Sequence, residues 1–233
     1  MLLQQLHLPP DESDDASCKS WRAGARAVLP LAAAIAVLGV SFGALATAAG
    51  LTPAAATVMS ATTFAGSAQF AAVSILGAGG AAGAAVATAG LLNARYAATG
   101  LALASALRGS LLRRFFVAQL SVDESWAVAY LADGRVSEQR LIGAGAVLFA
   151  AHVGSTALGA FAGNLVGDPR AWGLDAAFPA LFLVLLSPHL RTREGRMTAA
   201  LGAAIALVTT PLFPAGLPTL AAAAASLVGA RSR

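Results

Sequence analysis

The run of the chain best suited to chemistry is SATTFAGSAQF, residues 60–70, because polar side chains recur within it although apolar sequence surrounds it. Polar groups at membrane depth are costly unless they face a bundle interior or a cavity, so they mark candidate functional positions. We expect this run to form the wall of a substrate path. Its hydrogen-bonding residues are Ser60, Thr62, Thr63, Ser67 and Gln69.

The spacing within this run predicts which of its residues face the path. If the run is helical, Thr62, Gly66 and Gln69 share one face, and Ser60, Thr63 and Ser67 lie beside it. Gly66 loosens the helix among them, because glycine is conformationally permissive.

A second polar group lies in the middle of another apolar run, where Asn93 and Arg95 precede Tyr96. An arginine there costs about 2.5–3.5 kcal/mol on insertion scales, so its guanidinium must meet an anion, carbonyls or water. Carboxylate recognition is the functional interpretation, since a guanidinium binds a carboxylate through two parallel hydrogen bonds. The alternatives are a structural ion pair with a buried acid such as Asp175, or snorkelling of Arg95 in a shifted span.

Four titratable residues are candidates for proton coupling. Asp123 and Glu124 are adjacent and do not share a helix face, which argues against a paired-carboxylate site and favours a solvated loop. Asp175 begins an apolar segment, where it either caps a helix or titrates. His152 lies within an apolar segment, as a packing histidine or as a proton relay.

The sequence offers little for catalysis. It contains no P-loop, metal-ligand cluster or dinucleotide fingerprint. Cys18 is the only cysteine, which excludes an intramolecular disulfide. We interpret the arginine excess as a membrane-orientation signal and not as nucleic-acid binding. We therefore expect a protein that is not an enzyme and that has no metal or cofactor.

Composition predicts a membrane protein. Of the 233 residues, 58% are hydrophobic and only 11% are charged, whereas about a quarter of the residues in soluble domains are charged. Apolar runs approach the roughly 20 residues that span a bilayer as a helix, and they lack the alternation of barrel strands. We therefore predict an all-α polytopic membrane protein with about seven spans: 27–48, 54–77, 82–107, 141–164, 173–190, 197–213 and 216–230.

The same pattern predicts the organisation of the chain. Residues 1–20 form a polar tail, and residues 21–230 form one transmembrane transporter domain with halves 21–107 and 138–230. The loop 108–137 between the halves includes a semi-apolar stretch, 115–132, that suits an interfacial helix.

Seven spans would give the two halves opposite orientations, as in inverted-repeat transporters. Phe64-Ala65-Gly66 in the second segment corresponds to Phe178-Pro179-Ala180 in the fifth, so we predict that both helices are broken there.

Small residues at intervals of four predict close helix packing. Ser41, in the motif Ser41-Phe42-Gly43, could also present a hydroxyl to a ligand where the backbone narrows. The glycines concerned are Gly39, Gly43, Gly159, Gly163 and Gly167.

Together these motifs resemble the AzlC family, the large subunits of branched-chain amino-acid exporters. The resemblance extends over about residues 21–230, although Tyr96 stands where the family usually has histidine and Ser41 where it commonly has proline. The matching motifs are Pro30, Ser41-Phe42-Gly43, Ser60, Phe64-Ala65-Gly66, Gln69-Phe70, Asn93-Ala94-Arg95, Asp123-Glu124 and the run 173–182, GLDAAFPALF.

The resemblance implies export of valine, leucine, isoleucine and, as a further candidate, methionine across the bacterial inner membrane. It also implies a proton-gradient drive and a small hydrophobic subunit of the AzlD type. Two other classes stay open: a channel or permease for another small carboxylate, and a non-transporting assembly subunit. The candidate substrate-binding residues are Ser41, Phe42, Gly43, Ser60, Phe64, Ala65, Gly66, Gln69, Asn93, Arg95, Phe178 and Pro179.

Arginine placement predicts the topology. Ten arginines lie in residues 108–140, in residues 191–196 and at 231 and 233, so these regions should be cytoplasmic. Reporter fusions at Gly134 and Arg233 should both report the cytoplasm, and an external signal from either would contradict seven spans. A fusion ahead of Trp21 tests the N-terminus, which lies outside with seven spans but inside if the second segment is re-entrant.

Overall fold

The computed structural model describes residues 20–94, 96–131, 135–166 and 186–225, together with residues 173, 176, 179, 180 and 183. Within these residues the protein is all-helical, which confirms the predicted class, and a single β-bridge joins Tyr130 to Val136. The α-helices are α1 (Trp21–Ala27), α2 (Leu29–Ala48), α3 (Pro53–Thr63), α4 (Gly66–Gly77), α5 (Ala82–Asn93), α6 (Tyr96–Ala104), α7 (Leu111–Gln119), α8 (Asp123–Ala129), α9 (Glu138–Val166), α10 (Arg193–Thr209) and α11 (Leu217–Ala223).

Among the residues that the structure describes, two helices are long and apolar enough to cross a bilayer. They are α2 and the Glu138–Gly163 part of α9, and they coincide closely with the predicted first and fourth segments. The shorter helices α4 and α5 are also apolar. These helices support a membrane protein, while the full set of seven spans stays a prediction.

The predicted second segment is broken, as expected. α3 ends at Thr63, Phe64 adopts a left-handed conformation with φ 41° and ψ 47°, and α4 begins at Gly66. The third segment is also divided, which the sequence did not predict. α5 ends at Asn93, and the next helix begins at Tyr96.

The later segments are only partly described. In the fifth segment Asp175 and Phe178 lie outside the described residues, whereas Pro179 is exposed. The predicted break there and the inverted repeat therefore stay predictions. The sixth segment begins earlier than predicted, because the Thr192 side chain caps α10 and accepts a hydrogen bond from the Gly195 amide.

The predicted interfacial helix over residues 115–132 is wrong in its bounds. Two helices, α7 and α8, occupy this region, and they are separated at residues 120–122. The Ser125 hydroxyl donates to the Leu120 carbonyl oxygen at 2.7 Å, and its oxygen accepts from the Val122 amide at 2.9 Å. These bonds satisfy backbone groups that a continuous helix would pair internally.

The chain forms two compact units. The first contains residues up to 33 and residues 98–150, and its apolar core is Leu103, Val117, Ala129 and Leu141. The second contains residues 34–97 and residues from 151 onward. Its main apolar core is Phe42, Ala46, Ala56, Phe70, Val73 and Ala160.

Within the second unit, α2 packs directly against α9 through glycine. A Cβ atom at Gly159 would overlap the Val40 carbonyl, and one at Gly43 would lie 2.6 Å from the Ala160 amide nitrogen. A Cβ at Gly163 would lie 3.1 Å from Thr47 Oγ1. The predicted burial of these glycines against another helix is confirmed, and the helix belongs to this chain. Gly167 lies outside the described residues.

This packing predicts unequal effects of leucine at two glycines of α9. Gly159→Leu should destabilise the protein by about 1–3 kcal/mol or more, because overpacked helices must separate. Gly154→Leu should change stability by about 0.5 kcal/mol or less, because a Cβ at Gly154 meets nothing within 4 Å. Thermal unfolding of the detergent-purified variants compares them, and equal losses would contradict the packing.

Candidate functional site

Four polar side chains form a buried cluster in the second unit, called here the polar cluster: Ser60, Gln69, His152 and Thr156. They come from the last turn of α3, the first turn of α4 and the middle of α9. Ser60, Gln69 and Thr156 are 0% exposed and His152 is 4% exposed. Buried polar groups are stable only when hydrogen bonds replace water, so their pairing decides what this site can do.

Hydrogen bonds connect the four side chains in a row. His152 Nε2 lies 3.1 Å from Gln69 Oε1, and Gln69 Nε2 donates to Ser60 Oγ at 3.0 Å. Ser60 Oγ lies 2.8 Å from Thr156 Oγ1. The cluster therefore joins both sides of the break in the second segment to α9.

The backbone at the break fixes which atoms donate. The Ala65 amide donates to Gln69 Oε1 at 3.2 Å, so this side of the Gln69 amide must be the oxygen. His152 Nε2 must then carry the hydrogen that it shares with Gln69. In a neutral imidazole this leaves Nδ1 as the acceptor nitrogen.

Aromatic rings enclose the imidazole. Phe42 stacks on His152 with ring centroids 6.4 Å apart, and Phe64 lies against it at 5.9 Å. Phe70 meets Phe42 edge to face at 5.5 Å. These rings surround the polar cluster with apolar surface, where hydrogen bonds are stronger than in water.

The break itself is a strained element. Phe64 is the only non-glycine residue with positive φ in the described part of the chain, and such conformations cost of order 1–3 kcal/mol. No side chain caps the start of α4. The first amides of a helix have no partner within the helix, so they can bind an acceptor supplied from outside. A Cβ at Gly66 would meet nothing within 4 Å, so there is open space beside this helix end.

The ends of α4 and α5 lie at one level. Each helix has 12 residues, and residues 78–81 join them as antiparallel neighbours. At 1.5 Å per residue, the start of α4 and the end of α5 both lie roughly 18 Å from that connection. The helix lengths therefore place the start of α4 and the end of α5 at similar distances from their connection.

Two further polar atoms near these helices are left without partners. Asn93 Oδ1, at the end of α5, and Thr88 Oγ1 are buried and make no hydrogen bond with any residue that the structure describes. Buried polar atoms are usually paired, so such exceptions point to a missing partner such as a ligand or water. Asn93 was a candidate from the sequence, whereas Thr88 was missed because a single threonine in an apolar helix gives no distinguishing signal.

One predicted arrangement is wrong. Thr62, Gly66 and Gln69 do not share a helix face, because the chain leaves the helical conformation at Phe64 and Ala65. Thr62 is exposed and its hydroxyl donates to the Val58 carbonyl at 2.8 Å, whereas Gln69 is buried.

Other predicted residues occupy structural positions. Ser41 is buried and its hydroxyl donates to the Val37 carbonyl at 2.9 Å, and Gly43 packs against α9. Ala65 is buried at the break beside Phe64. Arg95 lies outside the described residues, so its role as a carboxylate ligand stays a prediction.

Two of the three acidic candidates, Asp123 and Glu124, belong to the first unit, whereas the polar cluster belongs to the second. Asp175 lies outside the described residues. Asp123 and Glu124 form the first turn of α8 in the other unit, where carboxylates interact favourably with the helix dipole. Among the described residues there is no group of three or more His, Cys, Asp or Glu side chains that could hold a metal ion.

Comparison with protein families gives a match over much of the chain. The family model described as "AzlC protein" matches residues 30–166, more than half of the chain. The chain belongs to the AzlC family. The match contains the whole polar cluster and both discontinuities, and the family is consistent with membrane transport. Comparison with curated proteins and with solved structures gave no match.

The hydrogen bonds predict that Gln69 is the most sensitive member of the cluster. Gln69→Leu removes the bonds to the Ala65 amide, Ser60 and His152, and each buried group left unpaired costs about 1–3 kcal/mol. Thr62→Val should cost about 0.5 kcal/mol or less, because Thr62 is exposed and substitutions at exposed positions usually change stability little. Thermal or denaturant unfolding measures both, and a Gln69→Leu protein as stable as wild type would contradict the network.

Proposed function

We propose that this AzlC-family protein is the large subunit of a secondary transporter that exports branched-chain amino acids across the bacterial inner membrane. The observation that carries the proposal is the break between α3 and α4, which the polar cluster ties to α9, together with a second helix end at Asn93. Interrupted helices at the midplane are a recurring site of substrate and ion binding in secondary transporters.

The helix ends suit the two charges of an amino acid. The uncapped start of α4 offers amide hydrogens and the positive end of the helix dipole, which favour a carboxylate. The end of α5 offers carbonyl oxygens and the negative end of the dipole, which favour an ammonium group. Asn93 Oδ1, buried and unpaired among the described residues, can accept a further ammonium hydrogen bond.

The surroundings of the break suit an apolar side chain. Phe42 and Phe64 present aromatic surface, and the space beside Gly66 is open. An aliphatic side chain such as that of leucine or valine gains free energy by leaving water for such a surface. This supports branched-chain substrates over polar ones, and methionine is a further candidate.

His152 is the group in this site best placed to couple a proton. The Nε2–H···Oε1 bond to Gln69 is compatible with both the neutral and the charged imidazole, because Nε2 is a donor in each. A proton can therefore bind at Nδ1 without breaking the connection to the helix break. Ionisable groups buried at membrane depth commonly serve as proton relays.

The AzlD-type partner rests on the family alone. A permease for another small carboxylate would use the same helix ends. The range of substrates that the protein transports therefore distinguishes an amino-acid exporter from such a permease. The experiment is export of labelled valine, leucine, isoleucine, methionine and lactate from loaded cells or proteoliposomes, with and without the small subunit and a proton gradient. The proposal would be contradicted if none of the amino acids were exported under any of these conditions while lactate was transported.

Arg95 provides the sharpest test of carboxylate recognition. Arg95→Lys keeps the charge but loses the bidentate geometry, so substrate affinity should fall about tenfold to a hundredfold, the equivalent of about 1.5–3 kcal/mol. Arg95→Gln should be weaker still, and the control Arg191→Lys, outside the predicted spans, should bind as wild type.

Binding and thermal stability measured together separate this role from a structural one. A stable Arg95→Gln protein with normal affinity would contradict carboxylate recognition. Misfolding of Arg95→Gln that is rescued by neutralising Asp175 would instead identify a structural ion pair.

A further inference from the structure

The first unit contains a basic cavity that the proposed transport function does not use. Its volume is about 230 Å³ and its lining includes Ser105, Arg108, Arg135 and Ser137. No Asp or Glu is among its described lining residues, and both arginines are exposed. Guanidinium and hydroxyl groups are the donors that recognise phosphate.

The helix α7, which begins three residues after Arg108 of the cavity lining, exposes an apolar face. Its four outward residues are 61–83% exposed. Positions i, i+1, i+4 and i+5 lie on one side of a helix, so these side chains form one continuous surface. The residues, called here the α7 face, are Leu111, Leu112, Phe115 and Phe116.

The rest of α7 attaches the helix to the first unit and so fixes the α7 face outward. Val117 is buried in the core of that unit. Arg114 Nη2 donates to the Ala104 carbonyl at 3.0 Å, and Arg113 bonds to Glu138 and to the Arg108 carbonyl. The arginines of α7 therefore bond within the protein, whereas its apolar side chains are exposed and can contact lipid.

The cavity and the α7 face are close together. Arg108 precedes Leu111 by three residues, which span at most about 11 Å. Amphipathic helices of this kind bury their apolar face about 5–10 Å into the boundary between headgroups and acyl chains. One phospholipid can therefore reach both features, with its phosphate in the cavity and its chains on the α7 face.

We propose that this region is a binding site for an anionic phospholipid, with Arg108 and Arg135 holding the phosphate and the α7 face contacting the acyl chains. The charge of the predicted cytoplasmic loop is complementary to that of anionic lipids in the cytoplasmic leaflet. The cavity is smaller than the roughly 300–1,000 Å³ typical of drug-sized ligands, which suits a headgroup and not a whole lipid. The proposal depends on membrane residence and is independent of the transported substrate.

The test is a titration of the purified full-length protein in neutral detergent with dioleoyl phosphatidylglycerol and, separately, dioleoyl phosphatidylcholine. Native mass spectrometry counts the bound lipids. Phosphatidylglycerol should bind more tightly, and Arg108→Gln with Arg135→Gln should weaken it about 30-fold, or about fivefold for each arginine. The matched pair Arg191→Gln with Arg193→Gln removes the same charge elsewhere and should change binding less than twofold.

A second pair of variants tests the acyl contact. Phe115→Ser with Phe116→Ser should weaken both lipids, whereas Leu207→Ser with Val208→Ser, an equally exposed apolar pair on α10, should not. If the double arginine variant does not fold, Arg108→Gln alone carries the test, with a fivefold loss expected.

Three results would overturn the proposal. The first is an equal loss in the Arg191 and Arg193 control pair, which would show a non-specific charge effect. The second is displacement of phosphatidylglycerol by millimolar inorganic phosphate with no effect of the phenylalanine variants, which identifies a free-anion site. The third is loss of lipid binding when the small subunit is co-purified, which identifies a protein partner on the α7 face.

Discussion

The second unit depends on the side-chain amide of Gln69. Its oxygen accepts from the backbone amide of Ala65, and its nitrogen donates to Ser60, so one planar group bridges both sides of a broken helix. Because the same oxygen bonds His152, the break is also tied to the long apolar helix α9. Removing this amide would leave a left-handed Phe64, an unpaired backbone donor and two buried polar side chains without compensation.

The partners of Gln69 are in place because α2 and α9 approach closely. Gly39 and Gly43 on α2 face the His152 and Thr156 carbonyls, and Gly159 on α9 faces Val40, so side chains at these positions would push the helices apart. Separation would carry His152 and Thr156 away from Gln69 and Ser60. Small residues, which in membranes replace the hydrophobic effect as a means of helix association, here also set the geometry of a polar site.

The sequence was informative where one residue type carries one physical meaning. Polar residues in an apolar run indicated Ser60, Gln69 and Asn93; the structure buries the first two and the Oδ1 atom of Asn93, while their role in substrate binding stays a prediction. The break at Phe64-Ala65-Gly66 was predicted from its glycine and is confirmed. The facing of Thr62 was wrong because helical periodicity holds only while the helix continues. The partnership of Gln69 with His152 spans 83 positions and depends on tertiary packing, which no local pattern encodes. The division of α7 from α8 was not predicted. Ser125 makes it by bonding the backbone of Leu120 and Val122, and every residue type has these backbone groups, so no sequence pattern marks the site.

Under the proposed function, the satisfied cluster constrains how transport can proceed. Opening the break must cost the hydrogen bonds of Gln69, each of them in an apolar enclosure of aromatic rings where an unpaired group costs about 1–3 kcal/mol. A ligand shifts such an equilibrium only by its difference in affinity between the two states. A substrate carboxylate bound at the start of α4 can supply that difference, because it accepts hydrogen bonds from a helix end that no N-cap side chain caps and meets the positive end of the helix dipole. For a substrate that lacks the carboxylate, opening the break would cost the same free energy and no new hydrogen bonds would offset it. The closed, strained break therefore contributes to selectivity for carboxylate-bearing substrates.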